Sequence, residues 1–169
     1  PGTPEAPHRT ETVLRIHLLA IGTRMPTWVE QGFSEYQKRL PADMRLELEE
    51  IPLPKRAKGE VPALVRAEGE AMRKRLEKHP GAHCVALEVT GKPLDTPALS
   101  RRLGEQRDLG QDLTILVGGP DGLCPRVSAA AHERWSLSAL TLPHPLVRVL
   151  LAEQIYRGWT LLAGHPYHR

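Results

Sequence analysis

Only two cysteines occur in the 169 residues. Cys84 and Cys124 lie far apart, form no Cys-x-x-Cys pair and match no Cys/His zinc spacing, so neither a disulfide framework nor a structural zinc site is encoded. Cys84 reads instead as a small strand hydrophobe. Among the eight histidines no pair has HExxH-like helical spacing, and His165 and His168 fall in a proline-containing tail, so no metal is expected. No run approaches the roughly 18 to 20 apolar residues that cross a bilayer, and the start lacks the basic and apolar regions of a secretory signal. The expectation is a soluble, cytoplasmic protein with no membrane partner. Phosphate-binding signatures are missing as well: there is no GxGxxG opening a helix and no Gly-Lys-Ser/Thr, which disfavours a nucleotide-binding α/β enzyme. The net charge is only +3. That is too little to hold bare nucleic acid by charge alone, and an RNA partner would have to contribute shape or be presented within a larger particle.

What is present fits one core. A chain of this length that is 40% hydrophobic buries one substantial interior and is short for two. Residues 1–12, with three prolines and little hydrophobicity, are expected to be a flexible extension; residues 13–169 are expected to form a single domain. Periodicity predicts strands over 13–21, 44–51, 83–89, 112–117 and 135–140, and helices over 28–40, 61–79, 96–109 and 145–162. Strands alternating with helices imply a mostly parallel α/β sheet. Residues 52–59, with two prolines, three basic residues and a glycine, break regular structure; they read as a solvated loop or as a phosphate contact.

Three segments sit where a parallel sheet normally receives ligands, just beyond the carboxyl ends of its strands. They are Leu87 with Gly91; the run Gly118-Gly119-Pro120-Asp121-Gly122; and residues 137–143. Glycine lets ligand atoms approach the main chain, although a GGPDG after a strand also serves as a plain turn. The run WSLSALTLPHP combines small hydroxyls with two prolines that force an extended turn before the last helix. In that helix one face should be buried. Arg148 is expected to pair with Glu153 or a phosphate, or to form a purely structural ion pair. His144, between two prolines, reads as a structural loop residue.

The strings AIGTRMPTWVEQGFSEYQKR, GGPDG, WSLSALTLPHPLVRVLLAEQIYR and the terminal HPYHR resemble the bacterial ribosomal RNA large subunit methyltransferase H family, from about residue 14 to the end. The resemblance implies a SPOUT-type fold, a mostly parallel sheet flanked by helices with a C-terminal trefoil knot, a rare exception to the rule against threaded chains. It also implies a homodimer that transfers the methyl group of S-adenosylmethionine to N3 of a pseudouridine in 23S ribosomal RNA on the assembled ribosome. Carried over residue by residue, the cofactor-binding positions would be Leu87, Gly118, Leu137, Ser138, Ala139, Leu140, Thr141 and Leu142. Tyr167, His168 and Arg169 of the tail become the catalytic candidates: His168 for proton movement, Arg169 for phosphate or uracil carbonyls. The family commonly has Glu where this chain has Asp121, one methylene shorter with the same charge.

Overall fold

The computed structural model describes residues 12–53 and 60–168. Residues 54–59 of the predicted basic loop, residues 1–11 and Arg169 lie outside them. Strand β1 (Leu14–Ile21) sits inside the sheet, and its second half, from Leu18 on, is buried and apolar on both faces, as a strand covered by helices on each side must be. Its alternate residues Leu14, Ile16, Leu18 and Ala20 enter one core and Leu19 and Ile21 the other. Parallel pairing to β2 (Met44–Ile51) and to β4 (Leu113–Val117) flanks it. With β3 (His83–Pro93) and β5 (Glu133–Ser136) the five strands run in the order β2-β1-β4-β3-β5, every pairing parallel.

Helices α1 (Thr27–Gln37), α3 (Thr96–Leu109) and α5 (His144–Ala163) cover one face, where Phe33, Leu99, Leu103, Leu151 and Ile155 pack on the first core. Helices α2 (Val61–Leu76) and α4 (Pro125–Ala130) cover the other with Val65, Met72 and Val127. Asp95 caps α3 by accepting the Ala98 N–H at 2.8 Å, which satisfies one of the helix's unpaired donors. Leaving α5, the chain turns at Gly164 (φ 68°) into a short 3-10 turn, Pro166–His168.

Element order and type follow the sequence reading, with three corrections. The predicted strand 135–140 ends at Ser136. There the Ser136 hydroxyl donates to the Ser138 carbonyl at 3.0 Å and the Leu140 N–H donates to the Ser138 hydroxyl at 2.9 Å, a local turn that replaces the ladder. Helix α4 was not anticipated, because six residues opening on proline carry too little periodicity to register. β3 continues past residue 89 by bending around β5: Leu87 and Lys92 both pair with Trp135. A Cβ on Gly91 would lie 2.6 Å from the Trp135 carbonyl carbon, so only glycine permits that bend.

Candidate cofactor cleft and C-terminal turn

The parallel strands all end on one edge of the sheet, where the bend within β3 and the loops that follow β4 and β5 enclose a cavity of about 280 Å³. Leu87, Glu88 and Val89 of β3 form one wall, residues 117–120 with Gly122 and Leu123 a second, and Leu137, Ser138, Leu140, Thr141 and Leu142 a third, with His144 and Val147 of α5 closing the base. Seven of the eight expected cofactor positions therefore line one space: Leu87, Gly118, Leu137, Ser138, Leu140, Thr141 and Leu142. Ala139 belongs to the same loop but is exposed and does not line it. Of the two open readings of GGPDG, the turn is seen directly. Gly119 and Gly122 close a tight antiparallel bridge, and the loop it shapes faces the cavity.

The chemistry of this lining suits a compact amphipathic ligand held by main chain. The leucines offer apolar surface, while the N–H groups of Thr141 and Leu142 have no acceptor among the described residues. A Cβ on Gly118 would sit 2.5 Å from the Gly122 carbonyl carbon, so the loop folds back on itself too closely for any side chain. A larger cavity, about 590 Å³, lies between α2 and α4. It draws its β3 and β4 walls from Cys84 and Thr114, near the strands' amino ends, so volume alone does not select the functional site.

Two polar residues of the cleft escaped the sequence reading. Glu88 accepts a hydrogen bond from the Ser128 hydroxyl at 2.7 Å. His144 is the first residue of α5 rather than a loop residue, and burial, then the neighbouring Arg148 charge, hold its pKa below the usual range. Its Nδ1 is buried without a partner. No motif marks Glu88, and the WSLSALTLPHP run that contains His144 gives no sign that it faces a cleft, because the cleft comes from three distant segments meeting.

Arg148 pairs with neither Glu153 nor a free anion. It is 1% exposed, donates to Glu50 at 2.6 Å, and also donates to the carbonyls of Gly22 (2.7 Å) and Ile21 (3.3 Å). Glu153, five positions along the helix, points elsewhere and pairs with Arg157 at 2.7 Å, one helical turn on. Arg148 thus ties α5 to the ends of β1 and β2 directly behind His144.

Tyr167 does not join the cleft of its own chain. The Tyr167 ring lies against Tyr156, with ring centroids 4.6 Å apart, and under the Arg157 guanidinium. Its hydroxyl donates to Glu153 at 3.2 Å. Burial, Tyr36 and Glu153 push its pKa up to about 12, so the phenol stays protonated and acts as a donor. Glu153 is nine positions beyond His144, about 14 Å along the helix axis. His168 ends the 3-10 turn, and Arg169 lies outside the described residues. Among the described residues no cluster of three His, Cys, Asp or Glu is placed to hold a metal, and no helix is long and apolar enough to cross a membrane.

Comparison with known proteins agrees with this geometry. A family model described as predicted SPOUT methyltransferase matches residues 14–168. The chain is 72% identical over 160 residues to the ribosomal RNA large subunit methyltransferase H of Alcanivorax borkumensis, covering 92% of this chain and 100% of that protein. It is 57% identical to the protein of the same name from Hahella chejuensis, covering 92% and 99%. Among solved structures, a probable methyltransferase from Bordetella pertussis matches with a TM-score of 0.57 at 16% identity over 86% of this chain and 96% of that one, a likeness of fold alone. The chain belongs to the SPOUT methyltransferases and, within them, to the ribosomal RNA large subunit methyltransferase H family.

Proposed function

We propose that this chain transfers the methyl group of S-adenosylmethionine to N3 of a pseudouridine in 23S ribosomal RNA, on the assembled ribosome, as a cytoplasmic homodimer. The observation that carries the reading is the convergence of the β3 bend and the loops after β4 and β5 on one cleft whose walls are leucines and unengaged main-chain groups. Leu87, Gly118, Leu137, Ser138, Ala139, Leu140, Thr141 and Leu142 would hold the cofactor, which supplies an electrophilic methyl group when bound. The bend of β3 around Trp135 is compatible with the threaded C-terminus that the SPOUT fold implies. Residues 13–169 would form the working domain.

For methyl transfer to an imide nitrogen, alignment accounts for much of the rate gain. A rigid parallel sheet supplies it, with the Arg148 clamp fixing the base of the cleft. N3 must also lose its proton and be oriented. We assign those tasks to Tyr167 as donor, His168 in proton movement and Arg169 toward phosphate or the uracil carbonyls. Because Glu153 holds Tyr167 away from the cleft of its own chain, the tail would serve the cleft of a second copy, which makes the site two-chained and the dimer two-fold. The test is transfer of radiolabelled methyl from S-adenosylmethionine to ribosomes lacking the modification, with and without prior pseudouridylation, followed by nucleoside analysis. N3-methylpseudouridine formed only after pseudouridylation is the expected product; label in another nucleoside would refute the target.

A further inference from the structure

Glu68 of α2 is 5% exposed, the one acidic residue among the described buried side chains. Neither of its oxygens accepts a hydrogen bond from the described residues, and Oε2 is wholly buried. It lies directly behind the glycine loop. Gly119 is held between Ile21 and Glu68, so that a Cβ there would meet Ile21 at 3.0 Å and Glu68 Oε1 at 3.5 Å. The position is rigid, because α2 is pressed onto the start of α4 at the next residue: a Cβ on Gly69 would lie 2.5 Å from that of Cys124. Its charged neighbours on α2, Glu70 and Arg73, pair with each other at 2.6 Å on the exposed side, and among the described residues the one charged group acting on it from another element is Asp121 in the loop itself. An ionised carboxylate would be unpaired, buried and beside a like charge, which is unfavourable on all three counts. Burial, then Asp121, accordingly raise its pKa.

We infer that Glu68 is a positioning residue for the cofactor: as a neutral acid, its hydroxyl donates to a main-chain carbonyl of loop 118–122 and holds that loop in the form that receives S-adenosylmethionine. The inference rests on the proposed cofactor. A neutral acid facing a main-chain loop is both donor and acceptor, whereas the carboxylate only accepts. Ionisation at high pH would therefore release the loop. Gln retains a donor without the charge; Met fills the space without one.

The test is calorimetric binding of S-adenosylmethionine to the full chain and to its Glu68→Gln and Glu68→Met variants, over about pH 6 to 9. The unsubstituted chain should bind more weakly as pH rises. Glu68→Gln should stay within about twofold of it at neutral pH and lose that pH dependence. Glu68→Met should bind about tenfold more weakly, yet melt without cofactor at the same temperature or higher, since a buried polar group has been removed. Equal affinity of Glu68→Met and the unsubstituted chain would overturn the inference, as would a Gln variant as weak as Met, or a Met variant whose melting point falls along with its affinity. Failure of the unsubstituted chain to bind at all would instead overturn the cofactor reading beneath it.

Discussion

If the tail completes the cleft of a second copy, two inactive proteins should restore each other. One variant lacks residues 167–169 and keeps its cleft; the other keeps its tail but carries Leu137→Trp, which fills a cavity of about 280 Å³ with an indole. Each alone has no complete site. Unfolding and refolding them together at equal concentration gives about half mixed dimers by random pairing, and each mixed dimer holds one complete site of two, so about one quarter of the parental activity should return. The structure sets the alternative outcome. A tail serving its own cleft would have to leave Glu153, Tyr156 and Arg157 and reach back about 14 Å along α5, and mixing would then restore nothing. The assay is radiolabelled methyl transfer to unmodified ribosomes, with S-adenosylmethionine binding measured in parallel. Binding should survive in the tail-deleted variant and vanish in the filled one. No recovery on mixing, with both variants dimeric, would refute the reasoning.

Further predictions concern the cleft and its supports. Gly118→Ala places a Cβ 2.5 Å from main chain and should weaken cofactor binding at least tenfold, at a cost of order 1–3 kcal/mol in folding; calorimetry and urea unfolding separate the two effects. Arg148→Met leaves Glu50 and two carbonyls without their donor and should cost about 3–5 kcal/mol. Glu50→Gln, at the partly exposed end of the same pair, should cost clearly less. A loss below about 1 kcal/mol for Arg148→Met, in urea unfolding at fixed protein concentration, would contradict the clamp. Burial raises the Glu133 carboxyl, but hydrogen bonds from His83 and Arg102 outweigh it and leave its pKa below the usual carboxylate range. A folded-state pKa below the unfolded one stabilises at neutral pH, and that stabilisation is lost as pH falls through the folded value. Glu133→Gln should therefore be less stable than the unsubstituted chain at neutral pH and converge with it in acid, as thermal melts at several pH values will reveal.

Strands β1, β2 and β4 were legible because each is a short apolar or alternating run, and α2, α3 and α5 because their apolar residues recur at helical spacing. β5 was harder. Residues Trp135 to Leu140 are apolar enough for a strand, yet the Ser136 and Ser138 hydroxyls bond to the local main chain and turn the loop into the cleft. The loops that build the cleft could be ranked by position at strand ends, but their roles came from family resemblance. Nothing local marks His144 or Glu88, because a cleft residue is defined by what it faces. For Arg148 the structural ion pair, one of the three options open from sequence, is the one formed, and its partner could not be named because Glu50 lies 98 positions away, while Glu153 was conspicuous only through proximity in sequence. Glu68 is one of several charged residues on α2, and only its burial singles it out.

One consequence follows from α5 being a single unbroken helix whose first turn floors the cleft and whose last half carries the tail. It acts as a strut of fixed length and pitch. The spacing between methyl donor and tail is then set by residue count rather than by a flexible joint, and one residue inserted near Val149 would advance everything beyond it by about 1.5 Å and turn it by about 100°. Tyr167 would keep its contacts with Glu153 and Arg157, since all three would rotate together, but the tail would be aimed away from where the second copy of the proposed dimer would meet it.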